Sequence, residues 1–211
     1  MSVSRTALAV NNDRSPDAFD RLRQRLWAQG QLSGDEEDSG QTFIIASPER
    51  GAGVTSLTIG LADSCARGAE RHVLAVIDED VHNAFKPAGD GSRNGGDDGT
   101  ISRGFGKADT MPRALFATSI EETHERRALL SRLKLRYGYI FIDGGSFHEA
   151  SFLSHAKLAD RRLLALDLQY ARRTQLVALR RELDRMPFKF DGFVGNRYAD
   201  PMPRALAQMT S

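Results

Sequence analysis

The ten residues Ser47-Pro48-Glu49-Arg50-Gly51-Ala52-Gly53-Val54-Thr55-Ser56 hold the densest concentration of chemistry in this sequence. They lie between the apolar run Thr42-Phe43-Ile44-Ile45-Ala46 and a helix-like segment from Leu57 that Gly68 closes. Glycines in such a strand-to-helix turn let backbone N–H groups converge on phosphate oxygens at a helix N-terminus. In a P-loop of this kind a lysine reaches the terminal phosphates, and the following Ser or Thr holds Mg²⁺. Gly51, Gly53, Thr55 and Ser56 stand where the motif needs them, with Ala52 between the glycines on the candidate nucleotide-binding loop, but Val54 takes the place of the lysine. Valine offers neither a cation nor a donor, and its branched side chain is expected to face the phosphates. A hydrogen bond to a charged group contributes about 1.5–3 kcal/mol. Its loss weakens triphosphate binding and slows phosphoryl transfer further. Arg50 is the neighbouring candidate for a substitute cation, although an arginine on a loop is ordinarily solvated. Glu49 adds negative charge at the same mouth.

Carboxylates elsewhere strengthen the phosphate reading. Asp78 and Asp80 end the apolar run His72-Val73-Leu74-Ala75-Val76-Ile77, and Asp143 ends Tyr139-Ile140-Phe141-Ile142. Taken singly, each is a common strand-end turn residue. Together, at the C-terminal ends of parallel strands, they are expected to point into the crevice where ligands bind. There a carboxylate can hold Mg²⁺ or orient a nucleophile. Thr55, Asp78 and Asp143 are the candidate metal ligands, and Asp78 and Asp80 the candidate catalytic groups.

The elements that must position these residues follow from periodicity. Five apolar runs read as buried strands: 42–46, 72–78, 139–143, 162–168 and 190–196. Helical segments alternate with them, including 121–138 with its stripe of Leu129, Leu130 and Leu133. Strands apolar throughout, alternating with helices, predict a three-layer α/β/α domain with a mostly parallel central sheet. Before it, Ser15 and Pro16 open a helix whose Phe19, Leu22 and Leu26 share a face, and Gly30 stops it. Residues 1–15 read as a loose polar tail, and the acidic linker near 33–41 reads as solvated. The predicted organisation is thus a tail, helix and linker over 1–40, a nucleotide-binding domain over 41–198 with a surface loop at 88–110, and a short tail over 199–211.

Bulk properties limit the alternatives. A length of 211 residues suits one domain of this kind. The formal net charge of +1 gives no global field for nucleic acid. The single cysteine, Cys65, excludes an internal disulfide framework and reads as a small core residue. No stretch has the roughly 18 apolar residues of a membrane span, and the N-terminus lacks the apolar core of a signal peptide. These features predict a cytoplasmic protein, peripheral at the inner membrane only through a partner. The five histidines read as surface residues, and the arginine pairs, such as Arg126-Arg127, as solvated helix faces. Ser146 lacks the surroundings of a hydrolase nucleophile.

The whole pattern resembles the cytoplasmic kinase domain of bacterial tyrosine autokinases of exopolysaccharide and capsule systems, within the MinD/ParA class of P-loop ATPases. Ser47 to Ser56 follows the family loop SPxPGEGKST except at the lysine, the second proline and the acidic residue. Asp78-x-Asp80 resembles the family's Walker A′ motif, and Asp143 its Walker B aspartate. Gly192-Phe193-Val194-Gly195-Asn196 resembles the late strand whose asparagine lies near adenine. Residues 17–26 resemble the opening helix. The match spans roughly residues 16–198. It implies ATP or ADP with Mg²⁺ as ligands, an inner-membrane polysaccharide co-polymerase of the chain-length-determinant type as partner, and a homo-oligomer.

The departures carry equal weight. Val54 removes the lysine, and Glu49 occupies the place of the signature lysine of MinD/ParA relatives. Gly144-Gly145-Ser146 replaces Thr-Pro-Pro. Asp20 reverses the middle charge of the assembly motif on the opening helix. No tyrosine cluster follows Tyr198. The resemblance therefore implies a pseudokinase-like regulatory or scaffolding role in exopolysaccharide biosynthesis. Two alternatives stand beside it: an active tyrosine kinase or ATPase with Arg50 as its cation, and a MinD/ParA-like positioning ATPase.

Overall fold

The computed structural model describes residues 7–11, 16–32, 39–84, 101–103, 106–116, 123–169 and 171–198. The Ser15 cap, most of the acidic linker, residues 88–100 of the surface loop and the tail from 199 lie outside these.

Among the described residues the chain forms an eight-stranded sheet of order β1-β8-β7-β2-β6-β3-β5-β4. The five strands expected from the sequence are β2 (Gln41–Ser47), β3 (His72–Ile77), β6 (Tyr137–Ser146), β7 (Arg161–Asp167) and β8 (Gly192–Tyr198). Three further strands are β1 (Ala7–Asn11), β4 (Ser102–Arg103) and β5 (Asp109–Pro112). Every pairing is parallel except that of β4 with β5. The helices are α1 (Pro16–Ala28), α2 (Val54–Gly68), α3 (Glu79–Ala84), α4 (Thr123–Arg136), α5 (Ala150–Ala156) and α6 (Arg173–Leu183).

Alternation along the central strands builds two cores. Phe43, Ile45, Val73, Ala75, Ile77 and Phe141 face one side, where they pack with Leu22 and Leu26 of α1 and Leu57 and Leu61 of α2. Ile44, Ala46, Leu74, Val76, Ile140 and Ile142 face the other, with Leu130 and Leu133 of α4 and Phe152 of α5. Strands buried on both faces need no polar alternation, so they read as continuous apolar runs. Each fully buried aliphatic or aromatic side chain contributes about 1.5–3 kcal/mol.

A partly buried polar network ties α1 to α2. Ser64 donates to Oδ1 of Asp20 at 2.5 Å and accepts from Nε of Arg23 at 3.2 Å. Arg67 reaches the same Asp20 oxygen at 2.9 Å. The Ser64 hydrogen bond, seconded by Arg67, holds the Asp20 carboxyl below its ordinary range. Asp20 is thus engaged within its own chain.

Several sequence expectations need correction. Residues 7–11 are not loose: they add a parallel edge strand to β8. The segment 88–110 is not wholly a surface loop, because Asp109 and Thr110 begin β5, which pairs with β3. His82 and His155 are buried, not at the surface, and so is Arg126. Cys65 is in the core as expected, and burial pushes its thiol up to about 12, which keeps it unreactive.

Candidate phosphate site

The loop between β2 and α2 has the backbone of a phosphate cradle. Gly51 and Gly53 both have φ of +84°, in the left-handed region that glycine adopts without strain. Gly53 caps α2 with no side-chain hydrogen bond, and the first turn holds no acidic residue. The opening N–H groups of α2 therefore keep their capacity to meet an anion. Side chains hold the loop from below. Ser47 donates to the carbonyl of Glu49 at 2.6 Å, and Asn196 donates through Nδ2 to the carbonyl of Ala52 at 2.8 Å. The predicted Asn196 thus comes to the loop, from the neighbouring end of β8.

The Val54 side chain turns into the core, contrary to the expectation that it faces out of the loop. Val54 is the first residue of α2, is buried, and belongs to the core beside Leu57 and Ile77. An apolar side chain at this turn gains more from the core than from solvent. Ser56 and Gly51 are exposed. Arg50 is 85% exposed and lies 3.4 Å from Glu149, an open ion pair that holds it only weakly.

Thr55 and Asp143 meet directly. The Thr55 hydroxyl donates to Oδ2 of Asp143 at 2.5 Å, and the Gly145 N–H donates to Oδ1 at 2.9 Å. Burial raises the Asp143 carboxyl above its ordinary range; these two hydrogen bonds and the nearby Arg113 oppose the rise. Beyond Asp143, β6 continues beside the loop. Ser47 is in register with Ser146, the Phe147 N–H donates to the Ser47 carbonyl at 2.9 Å, and Ser146 donates to the Pro48 carbonyl at 3.3 Å. This close approach requires Gly144, where a Cβ would lie 2.8 Å from the Ile45 carbonyl oxygen.

Asp78 follows β3 and is half exposed. Asp80 departs from the expectation: β3 ends at Ile77, and Asp80 is exposed in the first turn of α3, with its backbone N–H on Oδ1 of Asp78. Among the described residues no hydrogen bond or ion pair joins the Asp80 side chain to Thr55, Asp78 or Asp143. The sequence reading missed Arg113. It follows β5 directly, and its guanidinium reaches Oδ2 of Asp78 at 3.5 Å and the Asp143 carbonyl at 3.2 Å. Reading Asp109-Thr110-Met111-Pro112 as a strand would have placed it at the crevice.

The residues fit nucleotide and Mg²⁺ in part. The glycine loop fits a polyphosphate. The Thr55 hydroxyl directs its proton at Asp143, which leaves its oxygen lone pairs open to a cation. Asp78 fits less well, since Arg113 already compensates its charge. Among the described residues no group of three or more His, Cys, Asp or Glu side chains is placed to hold a metal.

Comparison with solved structures identifies this architecture. The kinase domain of the Escherichia coli tyrosine kinase ETK superposes with a TM-score of 0.64 at 14% identity, over 87% of this chain and 77% of that one. The chain has the fold of a bacterial tyrosine kinase domain. The chimerical protein CapA2B2 superposes with a TM-score of 0.65 at 16% identity over 94% of this chain and 96% of that one. A ParA family ATPase from Chlorobium tepidum matches with a TM-score of 0.53 at 15% identity, over 81% and 79% of the two chains. No protein-family model matches the sequence, and no curated protein matches it. Within this tyrosine-kinase fold, β2, α2, β3 and β6 bring Thr55, Asp143 and Asp78 to one end of the sheet. Among the described residues no helix is long and apolar enough to cross a membrane.

Proposed function

We propose that this chain is a kinase-inactive, tyrosine-kinase-like domain. In this reading it acts in the cytoplasm as a regulatory or scaffolding partner of an inner-membrane polysaccharide co-polymerase, in exopolysaccharide biosynthesis or export. One observation carries the reading: Val54 is built into the core at the start of α2, where phosphoryl transfer needs a cation. The surrounding loop is otherwise formed, with Gly51 and Gly53 in the left-handed region and Thr55 on Asp143. A scaffold kept while its transferring charge is lost fits selection for contacts rather than for turnover. ATP or ADP would rest on the loop N–H groups, and Mg²⁺, when bound, would neutralise phosphate charge beside Thr55 and Asp143.

The alternative enzyme reading relies on Arg50, which is 85% exposed and lies nearest in charge to Glu149 rather than to Thr55 or Asp143. The partner is testable by co-purification. The tagged chain should retain the cytoplasmic ends of the co-polymerase, and Thr55→Ala should retain them equally well. A chain that fails to hold the co-polymerase from detergent-solubilised membranes contradicts the proposal.

A further inference from the structure

Removing the lysine at 54 leaves a specific question: which cation, if any, answers an anion in this crevice. Arg50 is turned to Glu149. Arg113 is differently placed. Its Nη1 lies 3.2 Å from the Asp143 carbonyl, and Asp143 is the residue that holds the Thr55 hydroxyl. The phosphate loop and Arg113 therefore touch one residue from its two ends. The same Nη1 lies 3.0 Å from where a Cβ on Gly145 would stand, so the guanidinium lies across the strand-end glycines. Its side chain is 21% exposed, enough to meet a ligand without leaving the crevice.

The carboxylates around this guanidinium are Asp78, Asp143 and Glu149. Among the described residues Asp78 forms the ion pair with it, at 3.5 Å, and Asp78 is 47% exposed; the Asp143 carboxylate also feels its charge. An ion pair that open is weak and exchanges readily. A guanidinium has five N–H donors in a fork that matches phosphate oxygens. The contact to Asp78 is thus a resting position that a polyphosphate can displace.

We propose that Arg113 is the phosphate-contacting cation of this crevice, taking from β5 the charge that Val54 removed from the loop, with Asp78 as its competitor. This inference rests on reading residues 47–56 as a phosphate loop. Arg113 is not thereby a transfer catalyst: it restores charge for binding a nucleoside diphosphate.

The test is calorimetric titration with ADP in EDTA, so that no metal contributes. Wild type should bind. Arg113→Ala should bind about tenfold or more weakly, the loss expected for one hydrogen bond to a charged group. Arg113→Lys should recover most of that loss. Asp78→Asn should bind more tightly than wild type, since it frees the guanidinium; a merely structural or metal-holding Asp78 would weaken binding or leave it unchanged. Equal affinity of Arg113→Ala and wild type overturns the inference, as does weaker binding by Asp78→Asn. Binding by Val54→Lys with none by wild type also overturns it, and leaves the phosphate-loop reading standing. Absence of binding in both wild type and Val54→Lys overturns the inference together with that reading.

Discussion

The hydroxyl of Thr55 donates to Oδ2 of Asp143 across 2.5 Å, fastening the first turn of α2 to β6. Both ends of this contact were visible in the sequence as separate candidates, and the sheet order makes them neighbours, since β2 and β6 pair directly. The Asp143 side chain is enclosed, and burial favours its protonated form.

That burial predicts a pH-dependent cost. The folded state holds the Asp143 proton more firmly than the unfolded chain, whose carboxyl has an ordinary value. Stability from this group is present below the ordinary carboxylate range and is lost as pH rises through the raised folded-state value. Asp143→Asn should escape the loss. Thermal melts from pH 4 to 8 should show the variant gaining on wild type as pH rises, then a constant difference. A variant that is less stable than wild type at neutral pH contradicts this.

Asn196 and Gly53 should be energetically coupled. A Cβ on Gly53 would lie 2.3 Å from Nδ2 of Asn196, at a φ of +84°. Gly53→Ala should cost about 1–3 kcal/mol, part from the left-handed backbone and part from the clash. In an Asn196→Ala background the clash disappears and the strain stays. A double-mutant cycle by urea unfolding should give a coupling of about 0.5 kcal/mol or more. Strict additivity contradicts the geometry.

Ser64 is the pin between α1 and α2. Ser64→Ala leaves Asp20 and Arg23 short of a partner, for a loss of about 1–2 kcal/mol. It also removes the largest influence holding the Asp20 carboxyl down. An NMR titration should show Asp20 moving up toward the ordinary carboxylate range in the variant; no movement contradicts this.

Val54→Lys sets two effects against each other. Taking a buried valine from the core and desolvating an ammonium stem should cost about 1–2 kcal/mol of stability. ADP affinity should rise about tenfold or more. Unfolding curves and titrations on one preparation measure both. An unchanged affinity shows that a cation at position 54 does not reach the ligand.

The fold was legible wherever a strand is buried on both faces. Such strands, as in Phe43 to Ala46 or Val73 to Ile77, are apolar runs with no competing period. The edges were not legible. β1 is five residues long, with polar stretches before and after it, and β5 is four residues ending in a proline; neither has a periodicity to read. Asp78 follows β3 directly, as strand order implied, whereas Asp143 lies inside β6, which runs on to Ser146 beside the loop. Asp80 departs from the strand-end expectation, because the short helix α3 begins one residue earlier and turns it outward. Arg113 depended on β5, so missing the strand meant missing the cation. Val54 was identified but its direction was not, because only the packed helix shows that this position turns toward the core. The histidines show the same limit, since His82 and His155 are enclosed by tertiary packing that no local pattern announces.

The central claim is that a formed phosphate loop without its lysine does not transfer phosphate. The most direct measurement is release and transfer of the terminal phosphate from Mg-ATP by the purified chain, followed by radiolabel. The account predicts no turnover above a no-protein control and no labelled tyrosine. Sustained hydrolysis or tyrosine labelling by wild type, abolished in Thr55→Ala, would contradict it.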